Sequence, residues 1–396
     1  MSYHVKGFLK DLTGASRVTK ARLQTISEGS PVPDPKDPIR ELADKLHPAS
    51  MEFVVDSVRD ASPTSKTYRL KSADGHIPVF QAGQYVNFRL KIGGSELTRP
   101  YTISSAPCEA RGENGYFEVT IRRNRPYLVP DWFFENVHEG THLQGNMPFG
   151  FFYWEPMRDS KNIVALAGGS GITPFCSMAR EIAFGKMKDA RITIIYGSVK
   201  SDDIVLKKEL AEAEAASANV KVVHVLSGDP EWQGEKGFIT REIIEKYAGE
   251  DPTYMFCGPL AMFKLIAKNM DDMGVTRRRF RHDVLNQPVD ARQIEGWPQG
   301  NEEKTYQITV VRGISETVIP ASGGESVAVA LERAAIPVDT HCRCGECGYC
   351  RTKLIDGTIF VPEFGDGRRM MDKELGWFHA CSSYPTSDLK IKVNIM

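Results

Sequence analysis

Two different patterns of apolar positions follow one another along the chain. From residue 51 to residue 122, apolar and polar residues alternate in short runs separated by Gly, Pro and Asp, which is typical of an antiparallel barrel. From residue 162, apolar runs alternate with helical stretches, which predicts a parallel sheet covered by helices. The predicted strands are 51–58, 67–70, 84–90, 101–104 and 116–122 in the first part, and 163–167, 192–197, 220–225 and 254–257 in the second.

The pattern changes again after residue 286. A polar stretch rich in Gly, Pro, Asn and Gln, residues 287–304, is typical of a linker and precedes a predicted hairpin, a helix at 326–335 and a cysteine-rich loop. The predicted fold class is therefore a multidomain chain with β, α/β and α+β parts. Its segments are an N-terminal extension (1–48), an antiparallel barrel (49–158), a parallel-sheet domain (159–288), a linker (289–304) and an α+β domain (305–396).

Composition and charge narrow the function classes. Of the 396 residues, 26% are charged and 41% are apolar, which is ordinary for a globular protein. With 50 basic and 51 acidic side chains, the chain has no net field that would attract nucleic acid or anionic lipid. The N-terminus lacks the apolar stretch of a secretory signal, and nowhere do about 20 apolar residues follow one another. We therefore expect a cytoplasmic protein without a membrane span.

Cysteines carry the strongest chemical signal. Cys342, Cys347 and Cys350 have the spacing C-x4-C-x2-C, and Cys381 lies downstream. This is the spacing of plant-type [2Fe-2S] sites, in which four thiolates hold two irons. A structural zinc site also takes four thiolates, but its ligands usually come as two short knuckles. Cys344 lies off the spacing, so we expect a buried or solvent-facing thiol there rather than a ligand.

Two glycine-containing turns follow predicted strands of the parallel sheet. The glycines of segment 168–171 stand between an apolar strand and a helix, where a phosphate can approach the backbone and the free N–H groups of the helix start. A glycine cluster alone is weak evidence, because many tight turns need one. A second turn, Cys-Gly-Pro at 257–259, follows another strand of the same module and strengthens the prediction of a nucleotide site.

These motifs resemble those of a known family. Residues 306–396, with C-R-x-G-x-C-G-x-C and a distant cysteine, resemble a plant-type ferredoxin domain, whose fold is β-grasp-like. Residues 162–288, with AGGSGITP and CGP, resemble the nucleotide-binding half of the ferredoxin-NADP reductase superfamily. The resemblance implies that Cys257 is a polarizable neighbour of the hydride path, the alternative being a buried strand-end thiol. The implied nucleotide-binding residues are Gly168, Gly169, Ser170, Thr173, Gly197, Cys257, Gly258 and Pro259.

A flavin motif of the same superfamily, Arg, any residue, an aromatic and Ser or Thr, is matched by Arg-Pro-Tyr-Thr at 99–102. In isolation the segment would be an ordinary strand, and its place ahead of the glycine turns is what favours the motif. The resemblance implies that Arg99 pairs with a flavin phosphate and that Tyr101 packs on the isoalloxazine. The Thr102 hydroxyl is expected near flavin N5. Together with Cys257, Tyr101 and Thr102 are the predicted catalytic residues.

The rest of the flavin site is implied by two further segments. The strand at 120–122 corresponds to one along the flavin tail, and 129–132 corresponds to a helix start under the pyrophosphate, with Pro130 where a hydroxyl is expected. Residues 147–151 resemble FAD-containing members, so FAD is predicted, with FMN as the alternative. The implied flavin-binding residues are Arg99, Pro100, Tyr101, Thr102, Thr120, Ile121, Arg122, Val129, Pro130, Asp131 and Trp132.

The three sites together imply an NAD(P)H-dependent electron-transfer reductase. Nicotinamide gives up two electrons at once, a [2Fe-2S] cluster accepts one at a time, and a flavin can do both, so the flavin belongs between them. The order flavin barrel, nucleotide domain, ferredoxin domain resembles hybrid-cluster protein reductases and the reductase components of multicomponent oxygenases. The expected acceptor is a separate protein: an oxygenase, a hybrid-cluster protein or another reductase component.

Two other functions remain open from the sequence. In one, the cluster brings electrons in and a small molecule is reduced at the flavin. In the other, a zinc or degenerate cluster stabilises a non-catalytic interaction module. NADH is favoured over NADPH because Asp202 and Asp203 would repel a 2′-phosphate, although Lys200 could pair with one. His341 and His379, close to cluster cysteines, are expected to be solvent-exposed.

Overall fold

The computed structural model describes residues 8–29, 37–46, 48–123, 128–285, 290–364 and 366–393. The chain divides into two compact units, Met1–Leu46 and His47–Met396. No helix within these ranges combines the length and the apolarity that crossing a membrane requires.

In its described residues, 8–29 and 37–46, the first unit contains two helices, α1 (Phe8–Glu28) and α2 (Pro38–Leu46). Helix α2 begins after Asp37, whose carboxylate accepts hydrogen bonds from the N–H groups of Ile39 and Arg40. Proline at the first helical position suits this start, because its missing N–H would have no partner there.

The second unit begins with an antiparallel barrel. Six strands pair in the order β4-β3-β6-β1-β2-β5, and a bridge between Ile103 and Val119 joins the two edges of the sheet. The strands are β1 (Met51–Ser62), β2 (Ser65–Ser72), β3 (Tyr85–Ile92), β4 (Ser95–Thr102), β5 (Phe117–Arg122) and β6 (His142–Phe149), with helix α3 (Leu128–Asn136) before the last. Alternate residues point inward, so Phe53 and Phe88 meet Phe133 of α3 in one buried core.

A parallel sheet follows, with its six strands in the order β10-β9-β8-β7-β11-β12. The strands are β7 (Asn162–Gly168), β8 (Arg191–Ser198), β9 (Val220–Leu226), β10 (Glu235–Lys236), β11 (Pro252–Pro259) and β12 (Phe280–Leu285). The helices are α4 (Thr173–Ala183), α5 (Lys207–Ala216), α6 (Arg241–Ala248) and α7 (Leu260–Asp272). Strand β7 is buried along its whole length. The strand order reverses beside β7, and in open parallel sheets ligands bind at the carboxyl ends of the strands at such a point.

The C-terminal domain is built on a five-stranded mixed sheet in the order β14-β13-β19-β15-β17, with a separate pair β16-β18. The strands are β13 (Thr305–Arg312), β14 (Ser315–Ser322), β15 (Arg351–Asp356), β16 (Ile359–Phe360), β17 (Trp377–His379), β18 (Tyr384–Pro385) and β19 (Leu389–Lys392). Helix α8 (Val327–Arg333) packs on this sheet, and α9 (Met370–Glu374) precedes β17. The loop from α8 to β15 carries three of the motif cysteines. The predicted fold class is confirmed.

The predicted linker is folded over the part that the structure describes, residues 290–304. The Trp297 ring packs edge-on against Phe360 and Tyr384, with ring centroids 5.3 and 5.1 Å apart. Its indole N–H donates a hydrogen bond to Glu302 at 2.9 Å. One aromatic side chain in a polar stretch therefore attaches this segment to the C-terminal domain.

A buried carboxylate joins the barrel to the parallel-sheet domain. Glu118 of β5, whose side chain is 1% exposed, pairs with Arg59 and Arg69 of the barrel at 3.0 Å each and with Arg180 of α4 at 2.9 Å. Burial by itself would raise the pKa of Glu118, but Arg180 and Arg59 outweigh burial and hold that pKa below its ordinary value. The carboxylate is therefore ionised at neutral pH and shared between two domains.

Glu118→Gln should lower the free energy of unfolding by about 3 kcal/mol at pH 7, because three arginines would lose a shared buried charge. Since the folded-state pKa is depressed, this stabilisation is complete above the unfolded-state pKa of about 4.3 and is lost as pH falls through the folded-state value. Denaturant unfolding at pH 7 and at acid pH measures both effects. Glu245→Gln, which removes an exposed pair with Arg241, is the control and should cost less than about 0.5 kcal/mol.

Candidate active site and cluster centre

The two glycine turns predicted from the sequence lie side by side at the carboxyl ends of β7 and β11. Gly169 has a left-handed backbone, φ +55°, and its carbonyl accepts a hydrogen bond from the Tyr196 hydroxyl at 2.8 Å. A Cβ atom on Gly171 would lie 2.2 Å from the carbonyl oxygen of Cys257. Any side chain at this position would push the two turns apart, so the contact requires glycine.

The other predicted residues of the nucleotide site surround this contact. Gly197 at the end of β8 is the register partner of Gly168. A Cβ atom on Gly168 would lie 3.0 Å from Cδ of Pro259, and one on Gly258 would lie 3.2 Å from the N atom of Gly168. These contacts leave no room for a side chain where the two strand ends meet, so the glycines let the turns pack closely. The residues present fit the nicotinamide dinucleotide that the resemblance implies.

Helix α4 starts directly after the first of these turns. The Thr173 hydroxyl donates a hydrogen bond to the carbonyl of Ser170 at 3.2 Å, and Pro174 occupies the second helical position. The first N–H groups of a helix have no partner within it and carry the positive end of the helix dipole. Here the N–H of Thr173 donates to the carbonyl of Ser170, and proline has no N–H. A phosphate at this helix start therefore stays a prediction.

Cys257 lies at the carboxyl end of β11 with its side chain fully buried. Burial raises the pKa of its thiol well above the ordinary value, and Asp283, its register partner on β12, raises the pKa further. The thiol is therefore protonated at neutral pH and is not a nucleophile. This agrees with the predicted role of a polarizable neighbour and also with the alternative of a buried strand-end thiol.

The predicted flavin motif lies on β4, at the face of the barrel that meets the C-terminal domain. The Tyr101 ring packs on Phe88 and Phe133, with ring centroids 6.1 and 5.4 Å apart. The Arg99 guanidinium donates to the carbonyl of Thr98 at 2.8 Å. Burial lowers the pKa of Arg99, and Arg343 of the C-terminal domain lowers it further. The motif therefore places the half-buried guanidinium of Arg99 close to the Tyr101 ring, which the two phenylalanine rings support.

The strand predicted along the flavin tail turns only one of its three side chains toward the parallel-sheet domain. The Thr120 hydroxyl is buried against Thr67, and Ile121 belongs to the barrel core. Arg122 reaches the glycine turn, where its Nη1 atom lies 2.8 Å from the position of a Cβ on Gly169. Arg122 is thus the member of this strand whose side chain can meet a phosphate.

The helix predicted under the pyrophosphate is α3, and it forms with Pro130 as its third residue. Val129 is buried in the barrel core, whereas Pro130, Asp131 and Trp132 are half-buried. The Trp132 ring lies edge-on to Phe133, with ring centroids 5.6 Å apart. The exposed parts of this helix start offer backbone groups and the edge of an indole.

Asp203 has three partners in the barrel that the sequence did not reveal. Its carboxylate accepts hydrogen bonds from Ser62 at 2.6 Å and Thr64 at 2.8 Å, and it pairs with Arg122 at 2.5 Å. These partners belong to the barrel, so Asp203 joins two domains. Of the charges weighed for the choice between NADH and NADPH, Lys200 and Asp202 are exposed.

The four motif cysteines meet between α8, the loop before β15, and the segment after β17. The thiols of Cys344, Cys347 and Cys381 lie within hydrogen-bonding reach of the Cys342 sulfur and lower the pKa of Cys342. Cys350 lies within the same reach of Cys381. The N–H of Cys347 donates to the Cys342 sulfur at 3.3 Å. The fold thus brings the four predicted ligands together, three from the loop and Cys381 from the segment after β17, with Cys344 as a fifth, buried thiol.

The backbone of the cluster loop bends at two glycines. Gly345 and Gly348 have left-handed backbones, with φ +88° and +78°. Within the described residues, no three histidine, cysteine or acidic side chains are placed to hold one metal ion. A two-iron core is larger and takes two thiolates per iron, which is the donor set that these cysteines supply. The residues present therefore fit a [2Fe-2S] cluster.

The prediction for the two histidines near the cluster was wrong, because both side chains are buried. The His341 ring stacks on Tyr349, with ring centroids 3.7 Å apart, and meets the edge of Phe149 of the barrel at 4.6 Å. Nδ1 of His379 is hydrogen-bonded to the carbonyl of Gly345. The position of each histidine close to a cluster cysteine in the sequence was a signal that its ring would be buried when the loop packs.

The cluster loop lies directly on strands β3 and β4 of the barrel. The Thr98 hydroxyl donates to the carbonyl of Thr340 at 2.9 Å, and the Asn87 amide donates to the same oxygen at 3.2 Å. Glu332 of α8 pairs with both Arg99 and Arg343. No sequence signal pointed to Glu332, which resembles any acidic residue of a short helix. The flavin motif and the cluster loop therefore share one interface.

Comparisons with known proteins support all three modules. The chain matches the family models of the oxidoreductase FAD-binding domain at 52–154, the oxidoreductase NAD-binding domain at 165–268 and the 2Fe-2S iron-sulfur cluster binding domain at 311–386. The predicted cofactors are thereby confirmed: FAD as the flavin, a nicotinamide dinucleotide and a [2Fe-2S] cluster. The zinc alternative loses its support.

Relatives match the chain over most of its length. NADH oxidoreductase HCR of Escherichia coli (strain K12) is 28% identical over 313 residues, which are 78% of this chain and 88% of the relative. The glycine betaine monooxygenase reductase subunit of Pseudomonas aeruginosa (strain PAO1) is 25% identical over 331 residues, 79% and 87% of the two chains.

Among solved structures, phthalate dioxygenase reductase shares the fold with a TM-score of 0.66, at 19% identity over 88% of this chain and 98% of that chain. It is described as a modular structure for electron transfer from pyridine nucleotides to [2Fe-2S]. Likeness at this identity shows the fold alone, and the family follows from the three matched domain models and the relatives. The chain belongs to the ferredoxin-NADP reductase superfamily, as an oxidoreductase that passes electrons from NADH through FAD and a C-terminal [2Fe-2S] domain to a partner.

Proposed function

We propose that the residues named above bind NADH, FAD and the cluster in one row, and that an oxygenase component takes the electrons one at a time. The observation that carries this proposal is that the barrel contacts both neighbours. Arg122 of the barrel lies against Gly169 of the nucleotide turn, and Thr98 bonds to Thr340 beside the cluster loop. A flavin held by the barrel would therefore lie between the nucleotide and the cluster.

On the nucleotide side, backbone groups do most of the binding. The glycine turns admit the dinucleotide, and the start of α4 receives a phosphate. The protonated thiol of Cys257 lines the nicotinamide site and excludes water without reacting. Bound FAD can accept two electrons from NADH as a hydride and release them singly, which links a two-electron donor to a one-electron cluster.

On the flavin side, two arginines provide cations at separate places. Arg99 and Arg122 are expected to pair with the phosphates of FAD by charge-assisted hydrogen bonds. The Tyr101 ring, supported by Phe133 at 5.4 Å, offers a flat face to the isoalloxazine. The Thr102 hydroxyl ends the same strand and is proposed to hydrogen-bond the flavin ring.

The acceptor is proposed from the relatives. The name of the Pseudomonas aeruginosa relative makes it the reductase subunit of a monooxygenase. The similarity covers 87% of that subunit, which supports an oxygenase component as the acceptor of this chain. A hybrid-cluster protein and another reductase component are the alternatives. A pull-down with the purified, reduced protein from its native cells would identify the partner.

Anaerobic stopped-flow mixing with NADH tests the order of the three centres. The flavin absorbance should bleach first and the cluster absorbance should follow, after which cytochrome c added as a one-electron acceptor should be reduced. NADPH under the same conditions should bleach the flavin more slowly. A protein in which NADH bleaches neither centre would contradict the proposal. The alternative is that the cluster brings electrons in and the flavin reduces a small molecule. It would be favoured if a reduced ferredoxin reduced the cluster before the flavin and NADH reduced neither.

A further inference from the structure

A single buried carboxylate connects the flavin motif to the cluster loop. Glu332 on α8 has a side chain that is 4% exposed. Its Oε1 atom accepts from Nη1 of Arg343 at 2.5 Å and from Nη1 of Arg99 at 3.2 Å, and its Oε2 atom accepts from Nη2 of Arg343 at 3.0 Å. Arg99 belongs to the barrel, and Arg343 follows the cluster ligand Cys342. The three side chains therefore join two redox modules through one ion group.

The backbone of Arg343 is in an unusual conformation that this group holds. Arg343 has φ +57°, a left-handed value that L residues other than glycine rarely adopt. Its guanidinium also donates to the Thr340 hydroxyl at 3.1 Å. Such a conformation persists only where the surroundings fix it. The two hydrogen bonds to Glu332 are the strongest of these contacts, because they join opposite charges away from solvent.

Arg99 adds a second positive charge to the ion group that Glu332 and Arg343 form. Two guanidinium groups share one carboxylate, so Glu332 by itself leaves one positive charge uncompensated. A flavin phosphate at Arg99 would balance it. Binding of the flavin and the position of the cluster loop would then depend on each other, because both act through the same three side chains. Coupling of this kind is reciprocal by thermodynamic necessity.

We propose that Glu332 is a positioning residue for electron transfer, which fixes the cluster loop relative to the flavin by pairing with Arg99 and Arg343 at once. This inference rests on the proposed binding roles of Arg99 and of the cluster cysteines. NADH supplies two electrons to the flavin as a hydride. Two successive one-electron transfers return the flavin to its oxidised form and release the proton that came with the hydride to solvent. Each transfer reduces one ferric iron of the cluster, and the one-electron acceptor protein reoxidises that iron before the next transfer.

Glu332→Gln tests the proposal, because it keeps the size of the side chain and removes its charge. We expect NADH to reduce the flavin at the native rate and the cluster to be reduced about tenfold more slowly, within the usual range of coupling between sites. Anaerobic stopped-flow absorbance separates the two steps in one trace. The EPR signal of the reduced cluster should also shift, since Arg343 adjoins Cys342. Glu332→Asp, which keeps the charge, should recover part of the rate.

Glu325→Gln is the matched control, because Glu325 pairs with Arg333 at 2.6 Å on the same domain without contacting the barrel. It should leave both steps at the native rate. Flavin and iron content are measured for every variant. The proposal is overturned if Glu332→Gln has full cofactor content and its cluster is reduced at the native rate. It is also overturned if both Glu332 variants lose iron or flavin, because the residue would then be purely structural. A native protein whose flavin does not respond to NADH would instead refute the proposed function.

Discussion

Cys381→Ser is expected to lower the NADH-dependent reduction of cytochrome c by at least about 100-fold, since even the partners of metal ligands cost ten- to a hundred-fold when removed. Cys381 is the one motif cysteine that comes from outside the loop, and its sulfur lies within reach of both Cys342 and Cys350. Without it the two-iron core loses a required thiolate. The flavin should still bleach on mixing with NADH, so the defect lies after the flavin.

Cys344→Ser is the control for that experiment. Cys344 is buried in the same loop, and its thiol also lies close to the Cys342 sulfur, but it is off the plant-type spacing. Iron and acid-labile sulfide should stay near the native content in Cys344→Ser and fall sharply in Cys381→Ser. If Cys344→Ser loses iron while Cys381→Ser keeps it, the assignment of the ligands is wrong.

Gly171→Ala is expected to slow the reduction of the flavin by NADH about 100-fold, the effect of a misplacement of about 1 Å at a reacting centre. The new Cβ atom would lie 2.2 Å from the carbonyl oxygen of Cys257, and both atoms belong to turns of the nucleotide site. Because the obstacle is backbone, the two turns must separate. Overpacking of this kind also costs about 1–3 kcal/mol of stability.

A matched substitution separates the local effect from a general one. Gly94→Ala, in the turn between β3 and β4, meets nothing within 4 Å. It should leave flavin reduction and the thermal midpoint unchanged. Electron transfer from a chemically reduced flavin to the cluster should remain native in Gly171→Ala, because that step does not use the nucleotide turns. A Gly171→Ala protein that reacts with NADH at the native rate would show that the contact of the turns does not set the geometry.

Local sequence patterns determined the fold class and the chemistry of the site. Strand alternation predicted the barrel, and apolar runs between helices predicted the parallel sheet, because these periods follow from backbone geometry. The cysteine spacing identified the cluster, since three closely spaced thiolates can wrap one core and Cys381 supplies the fourth. Strands β6 and β12 were not predicted. Their apolar positions are interrupted by polar residues, and they are fixed by neighbours that are distant in sequence.

The tertiary structure alone decided how the modules meet. Glu332, Asp203 and His341 looked like solvated residues, and each of them contacts a domain other than its own. Trp297 likewise packs on Phe360, so that the polar stretch predicted as a linker is folded against the C-terminal domain. Contacts between domains join positions up to 253 residues apart, and no local sequence period records them. The sequence by itself therefore determined which centres the protein holds, because those depend on short motifs. Their arrangement into one path was decided by side chains that become partners only when the domains pack.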